Sequence, residues 1–137
     1  MLKIVLSLLL VISSGSLYAE LLVIVHPNSE VNSLSQQQVS DLYLGRLLGQ
    51  TTKLSPIESR ADDLRQRFYF VLTGKQLAKI DAYWARLQFA GQQKPPRRLS
   101  DQQAVIQSIS QNQDQIGFIE ANQLPAERKV KVVLKLE

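Results

Sequence analysis

Leu21-Leu22-Val23-Ile24-Val25 is the segment that most restricts what this chain can build. A strand with one solvated face alternates apolar and polar residues, so five apolar residues in a row require cover on both faces. That demands a layered structure, with helices on either side of a sheet, and places the segment as a central strand of a parallel-type sheet. Pro27 stops the strand after His26, and Asn28-Ser29-Glu30 has the composition of a turn.

Helical signals follow. Ser35 is spaced to cap the amide of Gln38 while Gln38 reaches back, with Leu34 and Val39 placed to close a hydrophobic staple. This helix carries Val39, Leu42 and Tyr43 and ends near Gly45. A short extended piece is expected over Lys53–Glu58. In the next helix Ala61, Leu64, Phe68 and Val71 or Leu72 fall at helical spacing, with Asp62, Asp63, Arg65 and Arg67 elsewhere on the turn. Gly74 separates it from a helix over Gln76–Ala90, whose inward stripe is Leu77, Ile80, Trp84 and Leu87. Gly91–Arg98 is expected to be an irregular connector. Ser100, with Gln103 three residues on, suggests a second capping box before a helix that turns Val105, Ile106 and Ile109 inward.

The end is extended again. Ile116-Gly117-Phe118-Ile119 is a short strand, and Val130–Leu136 alternates. Val130, Val132, Leu134 and Leu136 are expected on one face and Lys131 and Lys135 on the other, as in an edge strand guarded by charge. Strands interleaved with helices give an α/β fold with a mixed sheet flanked by helices.

Composition narrows the chemistry. The absence of cysteine excludes disulfides, thiol catalysis, a lipobox anchor and a Cys/His zinc site. Met1-Leu2-Lys3, the apolar stretch Ile4–Ile12 and the small-residue exit Ser13–Ala19 have the layout of a cleavable signal peptide over residues 1–19. The apolar stretch is too short for a membrane span, which takes about 20 residues. Residues 20–137 would then be a single periplasmic domain without a lipid anchor. There 15 basic residues face 12 acidic ones, a weak excess that does not call for nucleic acid.

No enzyme signature emerges. His26 is the one histidine, no nucleophile elbow is present, and His26 is expected to pack a turn. Asp62 and Asp63 read as complements of a helix dipole. Anion binding is the better chemical idea, because free amides at helix starts collect near strand ends. Three such places are His26–Ser29, Ser59–Ala61 and Glu120–Asn122. Arg60 is the most attractive anion ligand, unless it pairs with Asp63. Trp84 is assigned to the core, and Arg97-Arg98 to a solvated connector or a docking surface.

Four segments together, Val23–Arg46, Leu54–Gly74, Ala82–Arg97 and Asp114–Glu120, resemble phosphate-transporter substrate-binding proteins of the PstS type, and more closely short exported PstS-like proteins with one lobe. The resemblance covers nearly all of residues 20–137. It rests most on Asn28, Leu34-Ser35, Asp41–Arg46 and Ile116-Gly117-Phe118. It implies a single lobe of the type II periplasmic-binding-protein fold, and phosphate binding for ABC import as the parent function. In that family an Arg and a Ser-Gly-Thr turn contribute to the phosphate shell, with a Phe four residues after the Thr. Aligned on Phe68, the Ser-Gly-Thr turn falls on Asp62, Asp63 and Leu64, and the arginine on Glu58, with Arg60 nearby. Carboxylates thus stand where anion donors are expected.

The leading expectation is an exported, non-enzymatic binding protein. It would associate with phosphate or another small anion weakly, or with a partner's help, through Asn28, Ser29, Ser59 and Arg60. No cofactor is implied, and the partner would be a membrane transporter or sensor. The alternative is a ligand-free module that docks on a membrane sensor or envelope protein.

Overall fold

The computed structural model describes residues 19–46 and 53–136. The expected signal segment therefore lies, up to residue 18, outside the described residues. Five strands and four helices are laid out in the order β1 (Leu21–Val25), α1 (Gln36–Tyr43), β2 (Ser55–Ser59), α2 (Asp62–Thr73), α3 (Leu77–Phe89), β3 (Arg97–Leu99), α4 (Gln102–Gln111), β4 (Gln115–Glu120) and β5 (Lys131–Leu136), with a 3-10 turn at Ala121–Gln123. They form one mixed sheet in the order β3-β2-β4-β1-β5.

β1 is central and buried along its whole length, as its composition requires. Its direction is not the expected one. It runs antiparallel to both neighbours, β4 and β5, while β2 runs parallel to β3 and β4. An apolar run reports cover on two faces and carries no information on the direction of the neighbouring strands.

Two apolar layers supply that cover. On one face, α1, α2 and α3 place Val39, Leu42, Leu64, Phe68, Leu72, Ile80 and Trp84 against Val23, Val25, Ile116 and Phe118. On the other, α4 packs Val105, Ile106 and Ile109 on Leu22, Ile24, Ile57 and Ile119. Gly117 lets α4 approach, because a Cβ there would lie 2.7 Å from side-chain carbons of both Val105 and Ile109. Tyr43, Phe68 and Phe118 form an aromatic centre in the larger layer, with the Phe rings stacked at 3.6 Å.

The capping chemistry fixes α1 at both ends. Ser35 Oγ accepts from the Gln38 amide at 3.1 Å, and Gln38 Oε1 accepts from the Ser35 amide at 2.8 Å. Leu34 and Val39 are both buried. At the far end Gly45 adopts φ 67°, and the amides of Gly45 and Arg46 return to the carbonyls of Leu42 and Asp41.

Three local expectations need correction. The cap of α4 is Asp101 rather than Ser100: its carboxylate accepts from the Ala104 amide at 2.8 Å, and Gln103 bonds Gln123 instead. The connector after α3 ends earlier than expected, because Arg97–Leu99 pairs with β2 as an edge strand. In β5 the alternation breaks, since Val23 faces Leu134 and Ile24 faces Val132, leaving Val133 as a bulge. Leu134 and Leu136 therefore join the larger layer, whereas Val130 and Val132 join the smaller one.

Candidate functional site

The direction of β1 decides where the anticipated site residues lie. Val25 sits opposite Ile116, near the start of β4, and Pro56 at the start of β2 is registered with the same Ile116. At the other end Leu21 faces Glu120. Asn28 and Ser29, which follow β1, are therefore at the end of the sheet where β2 begins. Ser59 and Arg60 are at the end where β2 stops. The four residues do not line one site; the length of a strand separates the two pairs.

The Asn28–Ser29 end is an open cleft of about 550 Å³ lined by Asn28, Ser29, Glu30, Lys53, Leu54 and Asp114, among others. The Asn28 amide and the Ser29 hydroxyl and carbonyl are committed to the loop itself. His26 Nδ1 accepts from the Asn28 amide at 3.0 Å, so this histidine organises a turn, as expected. Ser29 Oγ accepts from the Val31 amide at 3.2 Å. Lys131 Nζ donates to the Ser29 carbonyl at 2.7 Å and to Asn32 Oδ1 at 2.9 Å, tying β5 to the loop.

The Ser59–Arg60 end holds a buried charge network. Ser59 is buried, and its Oγ accepts from the Ala61 amide at 3.3 Å. Arg60 anchors its amide to the Leu99 carbonyl, and its exposed side chain makes no ion pair among the described residues. The Arg60–Asp63 pair weighed from sequence does not form. Beneath them, Glu58 and Arg65 are each 1% exposed. Arg65 Nε meets Glu58 Oε2 at 2.6 Å, and the Tyr69 hydroxyl donates to Glu58 Oε1 at 3.2 Å. Arg65 also contacts Asp81 at 2.8 Å and Asp62 at 3.3 Å, and Arg98 reaches Asp81 at 3.2 Å. Nearby, Glu120 pairs with Arg67 at 3.1 Å and accepts from Gln102 at 2.9 Å.

Burial raises the Glu58 pKa, against the opposing pull of Arg65 and the Tyr69 hydroxyl. Burial works against the Arg65 charge as well, but the hydrogen bond to Asp81 and the Glu58 carboxylate outweigh it and hold the guanidinium protonated. Glu58 is thus the anion that Arg65 already has. The charge of the α2 N-terminus is balanced by Asp62 and Asp63 in its first turn, although Ala61 supplies no side-chain cap to its amides. An incoming anion at this end would meet carboxylates at Glu58, Asp62, Asp63 and Asp81, with the buried cation neutralised.

Arg65 is the residue that sequence reasoning misplaced. The sequence reading set it elsewhere on the turn than the apolar stripe, yet it lies four residues before Tyr69 and three before Phe68, on the flank of that stripe, and is buried. Glu58 carried a clearer signal: a charge one residue after buried Ile57 in a strand, on the alternate face, needs a partner. Trp84 is buried in the core as expected, and its indole N–H has no hydrogen-bond partner among the described residues. No described helix is long and apolar enough to cross a membrane, and no group of three or more His, Asp or Glu able to hold a metal ion occurs among the described residues.

Comparison with solved structures turns this geometry into a fold assignment. A putative phosphate ABC transporter substrate-binding protein with bound phosphate from Clostridium perfringens superimposes with a TM-score of 0.62 at 18% identity, covering 85% of this chain and 44% of the other. An ABC-type phosphate transport receptor from Vibrio cholerae gives 0.52 at 15% identity, with 85% and 46% covered. PstS from Borrelia burgdorferi gives 0.52 at 14% identity, with 85% and 47% covered. This chain is PstS-like in fold. It spans less than half the length of these PstS-like neighbours. No family model matches the sequence, and no curated protein matches it.

Proposed function

We propose that this chain is an exported PstS-like component of phosphate ABC transport or phosphate sensing whose main task is contact with a membrane-bound partner, not tight capture of phosphate. One observation carries the reading: the Glu58 carboxylate is buried against Arg65 at the end of β2, so the buried cation there is already neutralised inside the fold and the exposed Arg60 is left to meet an anion from the surface. The fold shared with phosphate-binding proteins supports the transport or sensing context. A binding protein, rather than an enzyme, fits that context, since the structural neighbours are substrate-binding proteins. Export to the periplasm rests on the signal-like layout of residues 1–19.

The edge strand β3 is the surface proposed for docking, because Arg97 is exposed on a sheet edge beside Arg98, which Asp81 holds in place. A photo-crosslinker at position 97 in the mature protein tests this in cell envelopes. A discrete adduct with an integral membrane protein, lost when Arg98 is changed to Glu, is expected. No adduct, together with saturable micromolar phosphate binding, would overturn the reading.

Weak anion association is the second reading, favoured by the exposed, unpaired Arg60 side chain beside Ser59. Asn28 and Ser29 would then serve a separate subsite, at the other end of the sheet. An Arg60→Gln change that abolishes a millimolar phosphate response would favour it.

A further inference from the structure

A second charged feature lies beside α3, where the end of α1 meets it. Arg46, Lys75, Lys79 and Arg86 border a concavity of about 330 Å³ whose remaining lining is Leu44, Ile80, Ala82 and Tyr83. Lys79, Ala82, Tyr83 and Arg86 recur at three, four and seven residues, which puts them on one stripe of the helix. Arg46 arrives from the end of α1, held there by the Schellman turn at Gly45 and by the Tyr83 hydroxyl, which donates to the Leu44 carbonyl.

Among the described residues no carboxylate lines the concavity. The nearest ion pair is a long contact of 3.9 Å between Arg46 and Asp41. Residues 47–52, Leu-Leu-Gly-Gln-Thr-Thr, bring no acidic group to follow Arg46. Helix ends account for part of the cluster: Arg46 and Lys75 follow the C-termini of α1 and α2, and Arg86 lies in the last turn of α3, where a helix favours a cation. Lys79 has no such support, since it lies in the first turn of α3 with no acidic residue there to balance it. Three helix ends thus gather their cations, with Lys79, around one concavity.

We infer that this concavity is a site for an organic phosphate, a phosphate ester whose charged group meets the four cations and whose apolar body rests on Leu44, Ile80 and Tyr83. Two arginines can grip phosphate oxygens in pairs while two lysines add point charge, and a phosphate monoester carries more than one negative charge in a small volume. The site is independent of the reading of Glu58 and Arg65, since it shares no residue with that network.

The test uses the protein from residue 20 at low salt, with phenyl phosphate as the soluble probe and vesicles of phosphatidylglycerol in phosphatidylcholine as the lipid-borne one. Lys79→Gln with Arg86→Gln is the test variant, both residues being exposed, and Arg60→Gln is the control. Saturable binding of either probe that weakens about tenfold in the double variant, weakens with added salt and is unchanged by Arg60→Gln supports the site. Phenyl phosphate alone would identify a soluble ester, and vesicles alone a lipid headgroup. Binding of neither probe at millimolar concentration, or binding that the double variant leaves intact, overturns it. Binding abolished by Arg60→Gln instead would place the anion at the β2 end and would count against the proposed function, leaving the two outcomes distinguishable.

Discussion

The two ends of the sheet contain the same kinds of residue and use them differently. At the end where β2 begins, polar side chains fold a loop: His26, Ser29 and Lys131 each bond backbone or amide groups within the 26–32 segment, and the cleft beside them stays open. Where β2 stops, charges are driven inward and matched with one another, from Glu58 through Arg65 and Asp81 to Arg98. The first end can lose a contact to water at small cost. The second cannot, because its central pair is desolvated and each partner is the other's most buried counter-charge. A PstS-like fold therefore does not by itself bring an open anion site at this place.

The sharpest way to break this contrast is to remove one half of the buried pair. Glu58→Ala should destabilise the fold by about 3–5 kcal/mol in urea unfolding, because Arg65 is left charged without its nearest counter-ion. Glu58→Leu combined with Arg65→Met should recover most of that loss. A cost below about 1 kcal/mol for the single change would mean that the pair is not the tight, dry contact described.

A smaller effect is expected midway between the ends. The Tyr43 hydroxyl donates to the carbonyls of Ile57 at 2.8 Å and Ile116 at 3.3 Å, joining β2 to β4 beyond Pro56, which has no amide to give. Burial raises the Tyr43 pKa well above the ordinary tyrosine value, so the phenol remains a donor into the alkaline range. Tyr43→Phe should cost about 1–3 kcal/mol, measured the same way, since it leaves buried carbonyls short of a partner.

At the open end, Lys131→Met should cost about 1 kcal/mol and speed amide exchange at Val31 and Leu34 more than in β1. Equal acceleration throughout would show that the loop is not separately pinned. The smallest contrast concerns the cap of α4: Asp101→Ala should cost about 1 kcal/mol and Ser100→Ala a few tenths at most. The reverse ranking would restore the cap suggested by the Ser100–Gln103 spacing.

Much of the architecture was legible because it depends on one-dimensional signals. The capping box at Ser35, the left-handed glycines at 45 and 74, the inward stripe Leu77–Ile80–Trp84–Leu87 and the covered strand Leu21–Val25 are all local patterns whose physics needs no partner. What was not legible depends on pairing. The direction of β1 follows from which strands flank it, and that direction separates Asn28 and Ser29 from Ser59 and Arg60. The bulge at Val133 likewise exists only relative to β1. Arg65 was read by its charge alone, whereas its place is set by a carboxylate on another element. The candidate site was therefore less readable than the fold: the segment Glu58–Leu64 drew attention by its position, and the network that fills it did not.

The measurement closest to the central claim is calorimetric titration with inorganic phosphate of the protein from residue 20 carrying Lys79→Gln and Arg86→Gln, which removes the concavity beside α3 from the reading. If Glu58 already occupies the position opposite Arg65, the heat should match dilution into buffer through millimolar phosphate, with Arg60→Gln giving the same trace. A saturable isotherm with a dissociation constant in the micromolar range would contradict the account, because it would require an anion to hold its place against the carboxylates at Glu58, Asp62 and Asp63.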